Sequence, residues 1–166
     1  SRVAILGIAY MQGLQDGGVL ACAKHFPGHG DTDADSHKTL PIIPHTKERL
    51  DSIDLVPFQQ MFQSGLGSIM VAHLYIPELD NTENLASTLS PKIVSGLLKK
   101  EMGFEGLIFT DALNMKGVSK FYEPGEVDVK ALLAGNDVLL FAEDVPKAIE
   151  KIKEAITKKQ ISQEEV

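Results

Sequence analysis

A single cysteine, Cys22, rules out any internal disulfide and leaves the redox compartment open. It lies in the apolar run VLACAKHF, where a buried spectator thiol is the expected role. No apolar run reaches the roughly 18 residues that a membrane-spanning helix requires, so no span is expected. Basic side chains are in the minority: 16 Lys and Arg against 23 Asp and Glu give a net charge of −7. That balance disfavours nucleic acid or an anionic membrane as the main partner. No G-x-G-x-x-G follows a strand-like run, so a dinucleotide fold lacks its fingerprint. No G-x-S-x-G occurs either, which removes serine-hydrolase chemistry of that type. Low-complexity segments and internal repeats are also missing.

What is present suits one α/β domain, since 166 residues with 43% hydrophobic content can bury one core. Arg2–Gln15 carries Val3, Leu6, Ile8, Met11 and Leu14 near helical spacing, and Gly17-Gly18 stops it. Val19–Phe26 reads as a strand buried on both faces, ended by Pro27-Gly28. Short helices are expected at Lys47–Ile53 and Pro57–Gln63, with Pro57 in a first turn. A second buried strand follows at Ser68–Leu74. Ser90-Pro91 opens a helix running to about Met102, and Leu107–Thr110 is a third strand. Glu126–Ala134 reads as a helix closed by Gly135, Val138–Phe141 as a fourth strand, and Val145–Lys158 as an amphipathic helix. Strands separated by helices are parallel strands joined by crossovers. An open doubly wound sheet and a (β/α)8 barrel both satisfy that pattern. Lys24-His25, His73 and Asp111 close successive strands, and the rim of a barrel is where its chemistry is built, which favours the barrel.

The stretch KHFPGHGDTDADSH, Lys24–His37, concentrates proton-transferring side chains in a loop too rich in glycine to be a helix. Pro27-Gly28 separates His25 from His29, so no helical face presents them as a metal pair. Asp31, Asp33 and Asp35 imitate a calcium loop, but Ser36 and Ile42 stand where that loop needs glycine and glutamate. In extended backbone Asp35 and His37 point to the same side, so the carboxylate can raise the imidazole pKa. The same pair fits an incidental surface contact. Asp111 either caps the helix beginning near Ala112 or serves as a rim nucleophile. Lys24 and His25 fit a snorkelling lysine and a packed histidine as well as a site.

Taken in order, KHFPGHGDTDADSH, IMVAHL, GLIFTDALNM and ALLAGNDVLLF resemble the catalytic barrel of glycoside hydrolase family 3. The likeness is greatest to its bacterial β-N-acetylglucosaminidase branch and covers nearly the whole chain. The resemblance implies a (β/α)8 barrel, with residues 1–166 a partial barrel lacking its N-terminal strands and containing no second domain. It implies Asp111 as the catalytic nucleophile and Asp35 with His37 as the acid/base dyad of this branch, where other branches use a glutamate from a second domain. Lys24 and His25 match the pair that holds sugar hydroxyls, and His73 matches a rim position facing the pocket. The implied activity is retaining hydrolysis of terminal β-linked N-acetylglucosamine, with peptidoglycan fragments as its implied source and with no cofactor or metal. The implied partners are N-acetylglucosaminide substrates. A β-glucosidase, a phosphorylase, a silent sugar-binding barrel and a metal-dependent hydrolase remain the alternatives. The start at Ser1 without methionine or leader, and the capping pattern at Ser162–Glu165, read as cut ends. On that reading upstream sugar-binding groups are missing and the chain alone is expected to be inactive. Bacterial cytoplasm or periplasm, and any domain after Val166, stay open.

Overall fold

The computed structural model describes residues 1–32 and 39–162. Three parallel strands in the order β1-β2-β3 form its sheet: β1 at Cys22–Phe26, β2 at Ser68–Val71 and β3 at Leu107–Thr110. Cys22 pairs with Ser68 and Ser68 with Leu107; Phe26 pairs with Val71 and Val71 with Thr110. All three strands therefore end at one level, and the segments that follow them share one edge.

Helix α1, Arg2–Asp16, begins where the Ser1 side chain accepts from the Ala4 amide at 3.2 Å. Its buried face is Ala4 and Met11, with Ile8 and Leu14 packed against the core. Val3 and Leu6, expected on that face, are exposed at 69% and 61%. Between β1 and β2 lie α2, Lys47–Arg49, a wide turn of helix at Leu50–Asp54, and α3, Val56–Gln63. Pro57 sits in the first turn of α3, as expected, and the Phe58 ring meets Phe26 edge-on at 5.4 Å.

Between β2 and β3 the chain makes a short 3-10 turn, Ser87–Leu89, and then a π-helix at Lys92–Glu101. The expected start at Ser90 is present as a hydrogen bond: its hydroxyl accepts from the Ile93 amide at 3.3 Å. The Gly96 and Met102 amides reach back five residues to Pro91 and Leu97, which makes this helix wider than an α-helix. After β3 come α4, Lys116–Ser119, α5, Glu126–Ala134, and α6, Val145–Thr157. Gly135 closes α5 at φ +108°, a conformation that favours glycine.

The core fills one face of the sheet. Ile69, Val71 and Ile108 are fully buried against Leu97, Leu98 and Ile93 from the π-helix and Phe58 from α3. Each such side chain contributes about 1.5–3 kcal/mol relative to exposure. A second cluster, Leu89, Leu113, Val118, Val127 and Ala131, seats α4 and α5 beyond the end of β3.

Two expectations are corrected here. Cys22 is exposed because β1 begins by alternating, with Ala23 facing the core and Cys22 and Lys24 on the open face; an irregularity in the pairing between Ala23 and Phe26 then returns Phe26 to the core. Strand β1 accordingly begins at Cys22, with Val19 and Leu20 outside it and exposed. The run Val138–Phe141 is no strand but a single parallel bridge from Val138 to Phe109. Beyond it, the Leu140 amide turns to the Thr110 hydroxyl at 2.9 Å and Phe141 takes φ +50°, which ends the ladder. Among the described residues, no helix is long and apolar enough to cross a membrane.

Candidate active site

The common edge at the strand ends is stitched by backbone. The Ala72 amide donates to the Phe26 carbonyl at 2.8 Å, and the Asp111 amide to the Val71 carbonyl at 3.0 Å. His25 from β1, His73 just past β2 and Asp111 just past β3 are brought together there. The Lys24–His25 and Phe26–Pro27 peptide bonds are both cis.

Asp111 uses its two carboxylate oxygens differently. Oδ1 accepts from the Ala112 amide at 2.8 Å, the local bond expected of a capping aspartate. Oδ2 faces His25 Nε2 at 3.8 Å, and the Asp111 side chain remains 16% exposed. That distance is beyond a hydrogen bond but close enough for charge to act. Burial pushes the His25 pKa down; Asp111 opposes this, while Lys24 and His29 reinforce it, and the net shift is downward. The His29 ring stands edge-on to His25 at 5.9 Å, with its Nδ1 3.0 Å from the Thr32 hydroxyl. Lys24 is exposed on the open face of the sheet.

His73 differs from the reading of a pocket-facing residue. It is fully buried, with Nδ1 2.8 Å from the Thr88 hydroxyl and Nε2 2.9 Å from the Ala112 carbonyl. Burial is the main cause of its lowered pKa; the Ala112 bond and Asp111 oppose it, and His25 adds to it. Both ring nitrogens are occupied by protein, so in this structure the ring supports the rim from below.

Asp35 and His37 lie outside the described residues. The loop leading to them is held on its near side. Asp31 Oδ2 lies 2.7 Å from His45 Nε2, and Arg49, which bonds Asp54 at 2.7 Å, stands 3.8 Å from Asp31. Among the described residues no group of three His, Cys, Asp or Glu side chains is arranged to hold a metal ion. Sequence reasoning missed Thr88 and Asn136, whose side-chain amide donates to the Thr88 carbonyl at 2.8 Å. Hydroxyls set among apolar residues in LASTLS were the available signal, since buried hydroxyls need partners.

A carboxylate with one oxygen tethered and the other open can attack an electrophilic carbon or stabilise positive charge. A neutral imidazole beside it can hold a hydroxyl. Comparison with known proteins gives that chemistry a context. The family model described as the glycosyl hydrolase family 3 N terminal domain matches residues 1–166. A β-hexosaminidase A of Pseudoalteromonas piscicida is 39% identical over 148 residues, covering 83% of this chain and 25% of that protein. A β-hexosaminidase of Nitrosospira multiformis is 39% identical over 150 residues, covering 90% of this chain and 42% of the relative. The chain thus spans between a quarter and under half of the length of these two relatives. The solved structure of a glycoside hydrolase family 3 β-N-acetylglucosaminidase from Paenibacillus sp. str. FPU-7 superposes with a TM-score of 0.93 at 42% identity. It covers 98% of this chain and 31% of that one. The fold is accordingly of the (β/α)8 barrel type, of which the three parallel strands are a part.

Proposed function

Because this chain belongs to the glycosyl hydrolase family 3 N-terminal domain family, we propose that it carries the catalytic core of a retaining β-N-acetylhexosaminidase. The substrate is terminal β-linked N-acetylglucosamine, and Asp111 is the nucleophile. The observation that supports this best is the position of the Asp111 carboxylate. It follows the parallel strand β3 directly, its Oδ1 is held by the Ala112 amide, and its Oδ2 is directed toward His25 and solvent-accessible space.

In this reading Asp111 attacks the anomeric carbon and the bond to the departing oxygen breaks. His37, protonated and steadied by Asp35, gives that oxygen its proton. A glycosyl ester on Asp111 results. Neutral His37 then takes a proton from water, whose oxygen attacks the same carbon, releasing the sugar with retained configuration. The usual scheme employs two carboxylates; here histidine replaces the acid/base member. Lys24 and His25 hold sugar hydroxyls beside the reacting carbon. His25, neutral at working pH, does so without adding charge next to the nucleophile.

The test uses the whole protein and p-nitrophenyl β-N-acetylglucosaminide, with and without phosphate. Asp111→Asn is expected to cut release on the order of 10⁴-fold, with the wild-type rate independent of phosphate. A phosphate-dependent rate would mark a phosphorylase. Cleavage of only the matching glucoside would overturn the N-acetyl assignment, and an active Asp111→Asn enzyme would overturn the nucleophile.

A further inference from the structure

We infer that His73 is a positioning residue for the nucleophile: by donating Nε2–H to the Ala112 carbonyl it fixes the residue whose amide orients the Asp111 carboxylate. This rests on the assignment of Asp111 made above.

The proton on the ring can be placed from its neighbours. The Ala112 carbonyl only accepts, so His73 Nε2, 2.9 Å away, must carry the hydrogen. Full burial disfavours the charged ring, so Nδ1 is bare and needs a donor. The Thr88 hydroxyl at 2.8 Å supplies it. That hydroxyl also lies 2.5 Å from the Ala72 carbonyl, which accepts from Ser87 Oγ as well, and 3.3 Å from the Val71 carbonyl, so its single hydrogen is shared between the ring and these carbonyls. Thr88 is itself held, because the buried Asn136 amide donates to its carbonyl at 2.8 Å and to the Ala131 carbonyl at 2.7 Å.

The chain of bonds therefore runs from α5 through Asn136, Thr88 and His73 to Ala112. Both polar groups of Ala112 are engaged, its carbonyl by His73 and its amide by Asp111 Oδ1 at 2.8 Å. The next amide, Leu113, donates to the Leu140 carbonyl at 2.9 Å. Turning the Ala112 carbonyl away from His73 would rotate the backbone from which Asp111 Oδ1 is held. A nucleophile misplaced by about 1 Å loses on the order of 10²-fold in rate.

Two amide variants of the whole protein separate this role from simple filling of the core. In His73→Gln the amide nitrogen reaches the place of Nε2 and can still donate to Ala112. In His73→Asn it reaches only the place of Nδ1. His73→Gln is expected to keep kcat within about fivefold of wild type, while His73→Asn loses on the order of 10²-fold in kcat with KM nearly unchanged. Thermal unfolding of each variant is measured alongside. Should His73→Asn not fold, Thr88→Val, which removes the partner of Nδ1, takes its place with a smaller loss confined to kcat. Equal losses in the two His73 variants, or a loss carried by KM, would overturn the proposal. The Asp111→Asn background distinguishes the two readings. There His73→Asn should add no further loss, whereas an active Asp111→Asn enzyme refutes the nucleophile assignment independently of His73.

Discussion

His25 Nε2 and Asp111 Oδ2 stand 3.8 Å apart across the end of β2, and the carboxylate does not succeed in holding a proton on the ring. Burial is the largest influence at His25 and also at His73, which has no exposure, and both pKa values are lowered. For both groups the unfolded chain binds a proton at a higher pH than the folded one. Stability therefore rises with pH through the window below the ordinary histidine value of 6.5, and falls as the solution is acidified through it. Urea unfolding of wild type and His25→Gln between pH 7.5 and 5 checks this. Wild type is expected to lose more stability on acidification than the variant; a smaller loss in wild type would mean that Asp111 dominates the ring.

Asp128 is a buried carboxylate in α5 whose two oxygens accept no hydrogen bond among the described residues. Burial raises its pKa against the pull of nearby backbone amides. Above the ordinary carboxylate value of 3.8 the unfolded chain gives up this proton while the folded chain keeps it. Its contribution to stability therefore falls as pH rises, until the raised folded value is passed. Asp128→Asn should be more stable than wild type by about 1–2 kcal/mol at pH 7.5. The gain should shrink at pH 4.5, and paired denaturant titrations at the two pH values would show it. A loss of stability at pH 7.5 would mean that the carboxylate has a partner.

Gly106 lies where two backbones meet at the start of β3. A Cβ there would come within 2.5 Å of the Gly67 carbonyl oxygen and 2.7 Å of the Phe104 ring, beside the hydrogen bond from the Leu107 amide to that same carbonyl. Gly106→Ala is expected to cost about 1–3 kcal/mol. Gly13, inside α1, has nothing within 4 Å of an added Cβ, so Gly13→Ala should instead stabilise by about 0.5–1 kcal/mol. Melting temperatures of opposite sign for the two variants are the expected result. Equal shifts would show that close approach at Gly106 is unimportant.

Much of this arrangement was legible before any coordinates. LIFT followed by aspartate placed β3 and Asp111 correctly, and Gly135 marked the end of α5, because both are local statements about propensity and turn geometry. Val138–Phe141 misled for a physical reason. Its apolar run records that a segment is partly buried, and says nothing about whether its amides pair with a strand or with a hydroxyl such as Thr110. The same blindness hid Thr88. His73 was legible as a member of the rim but not as its support, since a sequence places a side chain at a level without saying which way it faces. The Asp35–His37 pair was read from the sequence alone and lies outside the described residues.

The sheet has one further consequence, for handling the protein. Among the described residues β1 pairs only with β2, and β3 has only one bridge on its other side. Among the described residues one row of backbone donors and acceptors thus stands open at the β1 margin, while Asp137 and Val138 engage the β3 margin, and α1 adds Val3, Ile5, Leu6 and Tyr10 as an exposed apolar strip. Unpaired strand margins recruit other strands. A polypeptide limited to these 166 residues is therefore expected to be a poorly soluble, self-associating species in the test tube, whatever its active-site geometry.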